Sequence, residues 1–81
     1  MFEERIDSEV EFRKFAAREK ARYGKIQIRV DENLLVHKFF IHLYRWCKDF
    51  PGGGWSCSAY FVTKNRDVAL SLMKLERSES K

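Results

Sequence analysis

Residues 49–55 most constrain the fold of this chain, because they place its only proline and three of its four glycines between two strongly patterned apolar segments. Pro51 fixes its own φ angle and biases Phe50 away from helical geometry. The glycines at positions 52–54 permit backbone angles that other residues avoid. We therefore expect regular structure to end near residue 50 and to start again at Trp55, with a flexible hinge between the two elements.

The length and composition are those of one small domain, residues 1–81. The aromatic share of 15% supplies the large side chains that so short a chain needs for a core. Residues 1–7 and 76–81 are expected to be frayed. Two cysteines form neither a C-x-x-C pair nor a disulfide framework, and the N-terminus lacks signal-peptide features, so we expect a cytoplasmic protein. The apolar runs are too short to span a bilayer, which excludes an integral membrane protein.

The net charge of +4 is unevenly distributed along the chain. Residues 1–12 are acidic, whereas residues 13–29 carry seven basic residues against Glu19. Such a cluster attracts nucleic acid or an acidic protein, although acid at the front and base at the back of one helix also complement its macrodipole. A nucleic-acid site on the first helix would use Arg13, Lys14, Arg18, Arg22 and Lys25.

Capping and alternation define the first two elements. Ser8 and Glu11 have the spacing of a capping box, and Gly24 is a natural stop, which together predict a helix over residues 8–23. Residues 25–30 alternate polar and β-branched side chains, a period-two pattern that predicts a half-buried strand.

An apolar spacing of about 3.6 residues predicts a long amphipathic helix over residues 35–50. A strand is the alternative, since aromatic residues suit sheets, but a strand would expose half of them. After the glycines, residues 55–63 have the composition of a second strand, and Asn65 can begin a last amphipathic helix.

These elements predict an α+β fold in the order α-β-α-β-α, with a small sheet packed against the long helix. The two strands would be parallel and joined by that helix in a right-handed crossover. Because two strands make a marginal sheet, either a further segment adds a strand or two protomers join their edges into a homodimer.

No residues stand out as catalytic, metal-binding or cofactor-binding. His37 and His42 are five positions apart, so they do not converge on one side of a helix, and Cys47 falls on its core face. Phosphate loops follow a strand and precede a helix, whereas the three glycines follow a predicted helix and precede a predicted strand. We therefore expect neither an enzyme nor a cofactor.

One side of the predicted long helix carries a candidate surface for a protein partner. Opposite the core arc lie His37, Ile41, Tyr44 and Lys48, and Trp55 follows beside the glycines, where an aromatic ring can anchor a partner. Packing of the first helix over this patch, or ordinary exposure of single apolar residues, explains the same pattern.

The stretch from Tyr60 to Leu75 combines an aromatic strand, the polar turn at residues 64–67, Val68-Ala69 and Met73-Lys74-Leu75. It resembles the C-terminal strand-turn-helix of small, mostly uncharacterised bacteriophage accessory proteins. The resemblance covers about a fifth of the chain and assigns no function to individual residues. It implies a small phage-encoded protein that binds a host or phage macromolecule.

We therefore expect a small non-enzymatic binding protein, a phage-type accessory factor that binds and modulates another protein. The alternative is a basic nucleic-acid-binding accessory protein that acts through the first helix. Against the alternative, the basic run lacks interleaved aromatic residues, and Tyr60-Phe61-Val62 lacks the glycine-aromatic pattern of an RNA-recognition strand.

Overall fold

The computed structural model describes residues 4–79, with side chains for residues 4–75. The element order is β-α-β-β-β-α, in an α+β domain with two helices and a four-stranded mixed sheet. The elements are β1 (Glu4–Ile6), α1 (Glu9–Tyr23), β2 (Ile26–Asn33), β3 (Lys38–Cys47), β4 (Gly54–Thr63) and α2 (Arg66–Glu79). Within the described residues, neither helix is long and apolar enough to cross a membrane.

The first helix and its boundaries agree with the sequence prediction. Ser8 caps α1, since its hydroxyl accepts a hydrogen bond from the Glu11 amide at 3.1 Å. Gly24 ends α1 with a positive φ of 82°, and its amide donates to the Lys20 carbonyl at 2.8 Å. These are local interactions between neighbouring residues, which is why the sequence alone predicts them.

Residues 35–50 do not form the predicted long helix. A turn at residues 34–37 leads into β3, which pairs with β2 on one side and β4 on the other, both antiparallel. The apolar spacing misleads because both faces of this central strand carry large side chains, so a period of two is hidden. A strand was expected to expose half of its aromatic residues, and it does so here, since Phe40 and Tyr44 are partly exposed on the sheet.

The predicted parallel crossover is also replaced by another arrangement. The sheet order is β1-β4-β3-β2, and its only parallel pair among the described strands joins β1 to β4. Residues 4–6, expected to be frayed, thus form a strand, and residues 76–79 continue α2. Asp7 lies in the connection between β1 and α1, and the other predicted frayed positions, 1–3, 80 and 81, lie outside the described residues.

Both helices pack on the same face of the sheet. The core combines residues of α1, α2 and one alternating set from each strand, so those side chains share one side. The Arg13 side chain also donates a hydrogen bond from α1 to the Ser71 hydroxyl of α2. The buried apolar residues are Ile6, Phe12, Ala16, Ile26, Ile28, Ile41, Leu43, Ala59, Phe61, Ala69 and Leu72.

Candidate functional site

The sheet face opposite the helices carries six ring side chains, which we call the aromatic face. Because Ile41 and Leu43 point into the core, the residues that alternate with them on β3 point away from the helices. Directly paired residues on neighbouring strands share a side, which adds the partners on β4. The aromatic face consists of Phe40, His42, Tyr44, Trp46, Trp55 and Tyr60.

Five of the six rings lie close enough together to form two groups. His42 is central to the first, with ring centroids 6.3 Å from Tyr60 and 6.4 Å from Tyr44, and its ring is inclined by only 29° to that of Tyr60. Trp46 and Trp55 form the second, in an edge-to-face contact at 5.2 Å and 75°. Both geometries are favourable for aromatic pairs, so the rings hold one another in place.

A bulge in β4 keeps the two groups on the same face. Leu43 pairs with Ala59, but the next residue, Tyr44, pairs with Cys57, so Ser58 is the extra residue. Without this insertion the alternation would place Trp55 on the helix side. The bulge therefore permits Trp55 to lie opposite Trp46 while Ala59 stays in the core.

Basic side chains border the rings. The Lys25 ammonium lies 5.5 Å from the Trp46 ring centroid, and Arg29 pairs with His42 across the β2–β3 ladder. Arg5 pairs with Tyr60 on the other edge, and its contact with Asp7 at 3.5 Å is highly exposed and hence weak. The aromatic face thus has basic residues on both of its long edges, while Asp31, which pairs with Phe40, is an acidic residue on the β2 edge.

On the helix side, a buried ion pair joins α1 to β3. Arg45 donates to the Glu19 carboxylate at 3.0 Å, and only 6% of the Glu19 side chain is exposed. Burial opposes the charge of the guanidinium. The hydrogen bond to Glu19, electrostatic interactions with Tyr23 and Glu19 and a hydrogen bond to Cys47 outweigh that effect and raise the pKa of Arg45. The pair anchors this end of α1 to β3.

The predicted partner surface is not one patch in the structure. Ile41 is fully buried in the core, which follows from its place on β3. His37 lies in the β2–β3 turn, and Lys48 lies in the β3–β4 connection, at opposite ends of β3. Only Tyr44 and Trp55 share a surface, the aromatic face, and Trp55 is 43% exposed.

The residues predicted for nucleic acid separate into four environments. Arg13 pairs with Glu9 at 3.0 Å and is partly buried against α2. Lys14 is exposed on α1, and Lys25 borders the aromatic face at Trp46. Arg18 and Arg22 line one cavity with Arg45.

No binding surface predicted from the sequence includes Phe40, His42, Trp46 or Tyr60. A short signal exists in residues 40–44, where the aliphatic Ile41 and Leu43 alternate with ring residues, although Phe39 and Arg45 interrupt it on either side. That alternation has a period of two and is typical of a half-buried strand.

The remaining chemistry of the described residues is limited. No group of three or more His, Cys, Asp or Glu side chains among them could hold a metal ion. Neither Cys47 nor Cys57 forms a disulfide bond.

Comparisons with protein-family models, curated proteins and solved structures give no significant match to this chain.

Proposed function

We propose that this protein is a cytoplasmic, non-enzymatic binding protein that holds single-stranded nucleic acid on its aromatic face. One observation carries the proposal: six ring side chains lie together on the one sheet face that carries no helix. Single-stranded DNA and RNA expose the flat faces of their bases, and each base can stack on an aromatic ring.

The size of the face suits a short segment of single strand. Four strands at a spacing of about 4.8 Å span roughly 14 Å, which is room for a few bases splayed side by side. In a duplex the base faces are hidden because the bases stack on one another, so the rings of the aromatic face would find no base face to stack on. Single strands are therefore the better fit for this surface.

The charges support the same ligand. Lys25, Arg29 and Arg5 lie where the sugar-phosphate backbone of a strand would pass the rings. The whole chain carries a net charge of +4, which favours association with a polyanion. This differs from the sequence-based alternative, which places the nucleic acid on the first helix.

Binding of short oligonucleotides tests the proposal. Titration calorimetry with ten-nucleotide DNA and RNA should detect binding, and Tyr44→Ala and Tyr60→Ala should each weaken it by about 5- to 150-fold, equivalent to roughly 1–3 kcal/mol per stacked base. Tyr60→Phe keeps the ring and should bind within about twofold of the parent protein.

Val10→Ala provides the matched control, because Val10 is an exposed apolar residue on α1, in the layer behind the sheet. It should leave the affinity unchanged. The proposal fails if the Tyr44→Ala, Tyr60→Ala double variant binds oligonucleotides as tightly as the parent protein.

A protein partner is a second candidate, favoured by the β2–β3 turn. Leu34, Leu35 and Val36 are consecutive aliphatic residues with exposures of 70%, 93% and 48%. The Asn33 side chain holds this turn by accepting the Leu35 amide at 3.0 Å and the Val36 amide at 3.4 Å. An ordered apolar tip of this kind can enter a pocket on another protein.

Quantitative co-purification from a bacterial lysate distinguishes this second candidate. Leu35→Asp should abolish capture of a protein that docks on the turn but should leave oligonucleotide binding intact. Unchanged capture by Leu35→Asp would remove the turn from consideration. A phage origin, expected from the C-terminal resemblance, stays a prediction.

A further inference from the structure

We infer that a cavity beside α1 binds the terminal phosphate of a phosphorylated single strand whose bases lie on the aromatic face. This inference rests on the proposed function and narrows its ligand to strands with a phosphomonoester end. The cavity has a volume of about 410 Å³ and lies between α1 and the helix side of the sheet. Its lining, which we call the arginine cavity, consists of Glu4, Phe15, Arg18, Glu19, Arg22 and Arg45.

Aromatic rings orient the three guanidinium groups. Arg18 lies over the Phe15 ring at 5.4 Å. Arg22 and Arg45 lie over the Tyr23 ring, at 5.4 Å and 4.6 Å. Side chains held in this way lose less conformational freedom when they bind an anion, which raises affinity.

The charges of the cavity leave two arginines for a ligand. Glu19 already accepts from Arg45 at 3.0 Å, so these two charges compensate each other. Among the side chains of residues 4–75, neither Arg18 nor Arg22 forms an ion pair, and Glu4 is the one other carboxylate of the lining. Arg18 and Arg22 are four positions apart on α1 and therefore project from the same side of the helix.

Two adjacent guanidiniums suit a phosphate, because each can donate two parallel hydrogen bonds to its oxygens. A phosphomonoester carries about −1.5 to −2 charges near pH 7, more than the single charge of an internal phosphodiester. The cavity volume also falls in the range of about 300–1,000 Å³ typical of small-ligand sites, so a terminal nucleotide fits. The chemistry thus favours a strand end over its interior.

A second cavity shares one residue with the arginine cavity and one with the aromatic face. A neighbouring cavity of about 250 Å³ is lined by Arg22, Tyr23, Trp46, Cys47, Lys48 and Asp49. It shares Arg22 with the arginine cavity and Trp46 with the aromatic face. A strand that lies over Trp46 can therefore place its end against Arg22.

The test compares three forms of one internally labelled ten-nucleotide oligomer, with a 5′-phosphate, a 3′-phosphate or hydroxyls at both ends. We expect one phosphorylated form to bind about tenfold more tightly than the hydroxyl form, and its identity assigns the end. Arg18→Ala with Arg22→Ala should remove that difference. Lys64→Ala with Arg66→Ala removes the same net charge from exposed positions outside the cavity and should preserve the difference.

Failure of this inference and failure of the proposed function give different results. Equal affinities for all three oligomers, with tyrosine-dependent binding, would overturn the phosphate site alone. Equal loss of all three affinities in the arginine double variant, with the tenfold difference retained, would also overturn it. Absence of binding by every oligomer would overturn the proposed function and the phosphate site with it.

Discussion

The backbone of Gly53 lies directly against the indole ring of Trp46. A Cβ atom at Gly53 would overlap Cζ2 of that ring and lie 2.8 Å from Cε2. The turn that brings them together has Pro51 and Gly52 at its centre, and the Gly53 amide donates to the Phe50 carbonyl at 2.7 Å. With φ at 79°, Gly52 meets the requirement of a type II turn. The glycines therefore close the β-hairpin of β3 and β4, and Gly53 packs against the Trp46 ring. They do not form the hinge between a helix and a strand that the sequence predicted.

Substitution of the two central glycines should separate backbone strain from ring contact. Gly52 and Gly53 both have a positive φ, but a Cβ at Gly52 meets nothing within 4 Å. We expect Gly52→Ala to lower the free energy of unfolding by about 1–2 kcal/mol from the backbone alone. Gly53→Ala adds the overlap with Trp46 and should cost about 2–4 kcal/mol. Urea denaturation measures both, and equal losses would contradict the contact.

The Glu19–Arg45 pair should be strongly coupled. Arg45→Met leaves a buried carboxylate without its partner, which should lower the free energy of unfolding by about 3–5 kcal/mol. Adding Glu19→Gln removes the buried charge and should restore much of that loss. A double-mutant cycle in urea should give a coupling of about 1–3 kcal/mol. Strictly additive effects of the two substitutions would show that the pair does not anchor α1.

Ile41 and Leu35 were both placed in the predicted long helix, but substitution by alanine should destabilise the protein at Ile41 only. Ile41 is fully buried on β3, whereas Leu35 is 93% exposed in the preceding turn. Ile41→Ala should lower the free energy of unfolding by about 2–5 kcal/mol, and Leu35→Ala should change it by no more than about 0.5 kcal/mol. Thermal and urea unfolding of the two variants measure these changes in the free energy of unfolding. A large loss at Leu35 would argue against the strand placement.

Salt dependence should distinguish the rings from the basic edges of the aromatic face. If Lys25 and Arg29 contact phosphates, Lys25→Ala and Arg29→Ala should each reduce the slope of log K against log salt by about 0.7 for a single strand. Tyr60→Ala should weaken binding at every salt concentration without changing the slope. Calorimetric titrations between about 50 and 200 mM salt provide the comparison. A slope that is insensitive to both basic substitutions would place the backbone of the strand elsewhere.

Local signals in the sequence predicted the elements whose causes are local. The α1 helix begins at its Ser8 cap and ends at Gly24, and β2 contains the predicted residues 25–30 except Lys25. The strand after the glycines and the helix after Asn65 are also present, and Asn65 accepts the amides of Asp67 and Val68. Each of these rests on hydrogen bonds or alternation within a few residues.

The candidate site was only partly predictable, because its residues become neighbours through strand pairing. Tyr44 and Trp55 were named from the sequence for a protein partner, and the structure brings them together with His42 and Tyr60 on another surface. Arg18 and Arg22 were named for nucleic acid and share a cavity. Arg45 lines the same cavity, but it belongs to β3, a segment for which the sequence predicted a helix.

What the sequence by itself determined is the set of caps, turns and alternating strands, and an α+β domain built from them. Only the tertiary structure decided that residues 38–47 are a strand and that Glu4–Ile6 pairs beside β4. A segment with large side chains on both faces fits the helical period of 3.6 residues as well as the strand period of two. Which structure forms depends on the neighbouring elements that bury one of its faces. Here both helices cover the Ile41 and Leu43 side, which leaves the rings of His42 and Tyr44 on the open one.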